Sequence, residues 1–235
     1  REWRRGHEGE KAGAPSARYC MSAVVFEHGM WVFGGDDGGH KHSMNNYVFG
    51  AHFDELWRLD LRTYAWRRVK PADGVAPPKR ALHQAVVLGA SMYVYGGLGK
   101  ADLWRYDFGG GRWTQLMAAP GEEDDEAHPG VRHAFAAAPS GGDGFYVHGG
   151  TRHRKGGGRP RVFGDLWRYN VNANGWTKVR PAGGGELRPP KPGPRGHHSL
   201  LALGARKLLL YGGALCTPGC VCYGDTWAFD ADRAA

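Results

Sequence analysis

One phrase is written into this chain four times over. A hydrophobic run ends in a glycine doublet, at Gly34-Gly35, Gly96-Gly97, Gly149-Gly150 and Gly212-Gly213. An acidic residue two places before a tryptophan follows: Glu55-Leu56-Trp57, Asp102-Leu103-Trp104, Asp165-Leu166-Trp167 and Asp225-Thr226-Trp227. A second tryptophan stands nine residues further on in three copies, at Trp66, Trp113 and Trp176. Self-similarity at this spacing means an array of like structural units, each burying its apolar face against a neighbour. With four such units in 235 residues, at roughly 15–69, 78–116, 129–179 and 194–235, little chain is left for anything else.

Each unit reads as short strands. The first is an apolar run, at Ser22–Phe26, Gln84–Leu88, Ala134–Ala138 and Ser199–Leu203, and the second runs into the glycines. The third carries the acidic residue and first tryptophan, and the fourth the second tryptophan. β-Branched and aromatic residues punctuated by glycine favour strands over helices. The expectation is an all-β chain of four-stranded antiparallel blades arranged around an axis, a β-propeller. Residues 1–6, with Trp3-Arg4-Arg5 similar to Trp66-Arg67-Arg68, read as an orphan outer strand belonging to the last blade or to a preceding one. Two arrangements are open: a closed four-bladed ring, or an arc of a larger propeller.

The pattern resembles the kelch repeat family, of the galactose oxidase-like propeller superfamily, over essentially the whole chain. An arginine leads into each first strand, at Arg18, Arg80, Arg132 and Arg195, and His83 and His198 stand three residues after two of them. Met21 and Phe135 replace that histidine in the other two copies. The resemblance implies a module that binds a partner protein, and kelch propellers commonly grip acidic peptide segments at the channel mouth. The four arginines suit that role, because a guanidinium fork matches a carboxylate through two parallel hydrogen bonds. They equally suit a structural one, bracing backbone carbonyls at each strand start. The tryptophans read as framework: burying one ring removes roughly 150–250 Å² from water, several kcal/mol gross.

Strand parity locates the working face. Loops joining strands one and two, or three and four, share one face and are short, as in Gly89-Ala90-Ser91. The other face receives the long loops at 36–54, 117–131, 151–164, 180–194 and 214–224. Long loops in a compact repeat domain are more often functional than framework. The net charge of +8 is unevenly placed: Arg152, Arg154, Lys155 and Arg161 stand together in one of these loops, while another carries the acidic run at 122–126. These unrepeated cations, with His40 and His42 of the first long loop, are the candidates for selecting an acidic protein partner. Neither nucleic acid nor a membrane is the expected partner, since no stretch reaches the roughly 20 apolar residues of a span. An open arc would also self-associate through its end blades.

Catalytic and metal readings are weaker. Cys216, Cys220 and Cys222 share the last long loop, with Cys20 in the first repeat, and the paired two-residue spacing of zinc sites is absent. A disulfide among these four is the favoured reading. His40, His42 and His52 lack a carboxylate at a recognisable ligand spacing, so no metal or cofactor is called for. The alternative kept open is a metal-dependent oxidoreductase or lyase with its site at the propeller mouth.

Overall fold

Alternating apolar residues pair into antiparallel sheets whose strand order follows the sequence. The structure, a computed structural model, describes residues 13–39, 41–43, 46–48, 50–119, 127–154, 158–180, 191–217 and 219–233. The first blade is Ser22–Phe26, Gly29–Phe33, Leu56–Asp60 and Trp66–Val69; the second is Gln84–Leu88, Ser91–Tyr95, Leu103–Asp107 and Arg112–Met117. The third is Ala136–Pro139, Gly144–His148, Leu166–Asn170 and Gly175–Val179. In the fourth, Ser199–Ala202, Lys207–Tyr211 and Thr226–Asp230 form a three-stranded sheet among the described residues. These are four blades of a β-propeller. The suggested outer strand at 1–6 and the acidic run at 122–126 lie outside the described residues.

Three apolar cores join consecutive blades. Trp31, Phe33 and Leu56 of the first meet Met92, Val94, Trp104, Tyr106 and Trp113 of the second. Tyr93, Tyr95 and Leu103 meet Phe145, Trp167, Tyr169 and Trp176 between the second and third. Tyr146 and two alanines meet Leu200, Leu208 and Leu210 between the third and fourth. Because side chains alternate across a strand, each inner blade is apolar on both flanks. The outer flanks of the end blades stay wet: Val25 is 60% exposed, Leu201 59% and Tyr211 58%. Among the described residues no apolar core joins the fourth blade to the first.

Backbone hydrogen bonds stitch the blades along the axis. The residue two places after each lead-in arginine donates its N–H to its counterpart in the previous blade: Leu82 to Cys20 (2.9 Å), Ala134 to Leu82 (3.1 Å) and His197 to Ala134 (2.8 Å). All four adopt positive φ, between 53° and 58°. That is why the third inner strand starts at Ala136 and not at the expected Ala134, whose backbone turns to reach this ladder.

The doublets serve the same junctions. Gly35, Gly97 and Gly150 donate N–H to the carbonyls of Arg80, Arg132 and Arg195 in the following blade. A Cβ on the preceding glycine would sit 2.6 Å from the Arg80 oxygen at Gly34, 2.9 Å from that of Arg132 at Gly96, and 2.5 Å from that of Arg195 at Gly149. Only a residue without a side chain permits so close an approach, in a left-handed backbone that favours glycine in any case.

Candidate functional site

Each lead-in arginine runs inward and finds the acidic residue of its own blade. Arg80 donates from Nη1 and Nη2 to the two carboxylate oxygens of Asp102, at 3.0 and 2.8 Å. Arg132 holds Asp165 in the same way, at 2.8 and 3.3 Å, and Arg195 holds Asp225 at 2.6 and 2.9 Å. Arg18 meets Glu55 through one bond of 3.0 Å. The indole N–H of the following tryptophan donates to the same carboxylate: Trp57 to Glu55, Trp104 to Asp102, Trp167 to Asp165 and Trp227 to Asp225. Each guanidinium also donates to the carbonyl of the first glycine of its blade's doublet.

Burial pushes the Asp102 and Asp165 carboxyls up, but the arginine and tryptophan donors outweigh it and hold both below the usual carboxylate range. Arg80, Arg132 and Arg195 are at most 1% exposed. Placed by sequence as candidates to grip a partner, these arginines are turned to a carboxylate, a carbonyl and an indole-braced oxygen of their own blades. Such a geometry clamps a framework and leaves little for an outside ligand.

The unrepeated cations stand differently. After the third doublet the chain forms a short hairpin, Thr151–Arg152 paired with Arg161–Val162, which sets Arg152 directly opposite Arg161. Two arginines therefore occupy one paired position of the hairpin. Arg154, Arg159 and Arg161 are exposed and Arg152 is half-buried. Thr151 and His133 exchange backbone hydrogen bonds of 2.9 and 2.8 Å, which anchors the hairpin beside the lead-in segment of its blade. The His133 ring stacks on His153 at 4.9 Å, and the Arg161 guanidinium lies 5.0 Å over Phe163. The first and last long loops carry equivalent hairpins, Lys41–Ser43 with Asn46–Val48 and Ala214–Leu215 with Val221–Cys222. These long-loop hairpins and the lead-in segments share one face, as strand parity requires. His42 belongs to the first hairpin; His40 and Lys155 lie outside the described residues.

Between the lead-in segments is a depression lined by Cys20, Met21, Leu82, His83, Ala134 and His197. Two buried histidines, His83 and His198, are part of this lining. The His83 Nε2 meets Ser22 Oγ at 2.8 Å, and His148 Nδ1 meets His198 Nε2 at 3.0 Å. Burial, with the charge of Arg80 beside it, pushes His83 down to about 3; burial, with His148 and Arg195 nearby, pushes His198 down to about 3. Among the described residues no group of three or more His, Cys, Asp or Glu side chains could hold a metal ion. Cys216 and Cys220 form a disulfide across the tip of the fourth-blade hairpin, while Cys222 and Cys20 are free thiols.

Comparison with known proteins fits this geometry. The family model described as "KLHDC2/KLHL20/DRC7 Kelch-repeats domain" matches residues 1–213. The chain belongs to the kelch-repeat family. It is 37% identical to human host cell factor 2 over 93 residues, 37% of this chain and 10% of that protein. It is 34% identical over 148 residues to rat multiple epidermal growth factor-like domains protein 8, covering 57% of this chain and 5% of that protein. It is also 26% identical to bovine Kelch domain-containing protein 3 over 219 residues, covering 87% of this chain and 50% of the relative. The chain thus spans half or less of the length of these curated relatives.

Within this kelch frame, the arginine–carboxylate–indole triad is what sequence reasoning missed. Its signal was present: every lead-in arginine has one acidic residue two places before the first tryptophan, a one-to-one match of repeated opposite charges. No local pattern joins the two, because Arg80 and Asp102 stand 22 positions apart and Arg18 and Glu55 stand 37 apart.

Proposed function

We propose that this kelch propeller binds a partner protein on its long-loop face, and that the basic hairpin at 151–162 selects an acidic segment of that partner. Kelch propellers are generally protein-interaction modules. The observation that carries the finer reading is the facing pair Arg152 and Arg161, with exposed Arg154 and Arg159 beside them, on a hairpin tied to the mouth. A partner carboxylate accepts forked hydrogen bonds from an exposed guanidinium such as that of Arg154 or Arg159. The lead-in arginines are not part of this recognition set, since their side chains are withdrawn onto the carboxylates of their own blades.

Fluorescence anisotropy with acidic and length-matched neutral peptides tests the reading. The acidic peptide is expected to bind preferentially, with affinity falling steeply as salt rises. Arg152→Glu combined with Arg154→Glu should abolish that preference while the circular dichroism spectrum stays unchanged. Equal binding by the charge-reversed protein would sink the proposal.

A further inference from the structure

Two of the blade junctions are built from matching parts and filled differently. Between the second and third blades, Tyr95, Trp176 and His128 form a cluster of three rings, with centroids 4.9, 5.9 and 6.0 Å apart. The Tyr95 hydroxyl donates to the Gly130 carbonyl at 2.8 Å. His128 stands directly before the buried Pro129, in the segment that leads to Arg132.

Between the first and second blades, Phe33 takes the place of Tyr95 and packs on Trp113 at 5.0 Å. Ala76, directly before the buried Pro77 in the segment that leads to Arg80, takes the place of His128. One ring and one hydroxyl are thus absent relative to the neighbouring junction, and the space they would fill is open. A cleft of about 190 Å³ lies there, with buried Leu56 and Trp113 at its floor and exposed Asp54, Arg68, Lys70 and Ala76 at its rim. A cavity of roughly 150 Å³ is already enough to admit benzene.

The polar groups narrow the occupant further. The indole N–H of Trp113, like that of Trp176, has no hydrogen-bond partner among the described residues. At Trp113 the cleft gives an outside oxygen a way in. Around the cleft two cations, Arg68 and Lys70, balance two carboxylates, Asp54 and Glu55, and Arg68 already holds Glu55 at 3.2 Å. That balance selects neither a free anion nor a free cation and suits a neutral ring with a polar tip. The end of the first long loop and the segment 70–79, which border the cleft, both belong to the long-loop face by strand parity.

We infer that this cleft takes the phenol side chain of a tyrosine presented by the partner protein. The ring supplies what Ala76 lacks beside His128, and the hydroxyl what Phe33 lacks beside Tyr95, its oxygen accepting the Trp113 N–H. The inference rests on a partner docking on the long-loop face, and not on the basic hairpin.

Nuclear magnetic resonance of the indole N–H signals, with N-acetyl-tyrosinamide as the probe, tests it. The Trp113 signal is expected to shift in a saturable way while that of Trp176, beneath its filled junction, stays in place. N-acetyl-phenylalaninamide should bind about fivefold more weakly, the worth of one net hydrogen bond. Ala76→His, which copies the neighbouring junction, and Ala76→Met should each fold, since position 76 is exposed, and each should abolish the shift. The variant carrying Arg152→Glu and Arg154→Glu should bind the probe unchanged, so failure of the basic-hairpin reading and failure of this one are separate results. No shift at Trp113, an equal shift in both Ala76 variants, or equal binding of the two probes overturns the inference.

Discussion

Arg80 and Asp102 meet through two parallel hydrogen bonds of 3.0 and 2.8 Å, with the arginine side chain wholly withdrawn from water. The pair is a junction, not an ornament. Arg80 reaches across its blade to the first glycine of the doublet at 3.1 Å, while its own carbonyl receives the N–H of Gly35 in the blade before. One residue thereby ties the second, third and preceding elements of two blades.

Removing one partner of such a buried pair strands the other. Asp102→Ala is expected to cost about 3–5 kcal/mol, the usual range for leaving a buried charge uncompensated. Asp225→Ala should cost clearly less, because Asp225 is 39% exposed and water can replace it beside Arg195. Urea unfolding of the two variants, compared at equal slope, checks the order.

The doublets allow a second comparison. Gly96→Ala forces a left-handed backbone on a residue with a side chain and drives its Cβ to 2.9 Å from the Arg132 carbonyl. Gly212→Ala meets only the backbone penalty, with its nearest neighbour at 3.5 Å. The first substitution should lower the melting temperature by several degrees more than the second, as a difference of about 1 kcal/mol does in a domain of this size.

Trp176 packs against Tyr95 at 4.9 Å, Tyr169 at 5.2 Å and Phe145 at 5.4 Å, in the core between the second and third blades. Trp176→Ala is expected to destabilise the chain by about 3–5 kcal/mol through lost burial and the cavity left behind. Thermal unfolding followed by near-ultraviolet circular dichroism, which reports this aromatic cluster, measures it.

Acid should weaken the fold in two stages. Burial first, then charged neighbours, push His83 and His198 down to about 3, and burial pushes His133 and His148 to about 4. An unfolded chain binds these protons from its ordinary value of 6.5, whereas the folded chain resists them. Their contribution is therefore complete above about pH 6.5 and declines as the pH falls, toward 4 for His133 and His148 and toward 3 for His83 and His198, by at most about 1.4 kcal/mol per pH unit for each histidine. Asp102 and Asp165, held below 3.8 by their arginines, add a second loss only below that pH. A urea midpoint that is flat from pH 7 to 5 would contradict the histidine stage.

The repeat by itself determined the strands and their order, because alternation, glycine punctuation and tryptophan spacing are local signals. It also placed the long loops on one face, which follows from strand parity alone. Which side each charged residue turns to was not written locally. Arg80 and Arg161 are both arginines on the same face, yet one is sealed against Asp102 and the other exposed on a hairpin. Only contacts between distant segments separate them. The ladder from Cys20 to His197 was equally hidden, since nothing in Cys, Leu, Ala and His predicts a shared left-handed backbone. The sequence thus determined a periodic set of blades. Tertiary structure decided which polar groups those blades consume on one another and which remain for a partner, because a hydrogen bond or ion pair across a blade junction depends on distances that no local pattern encodes.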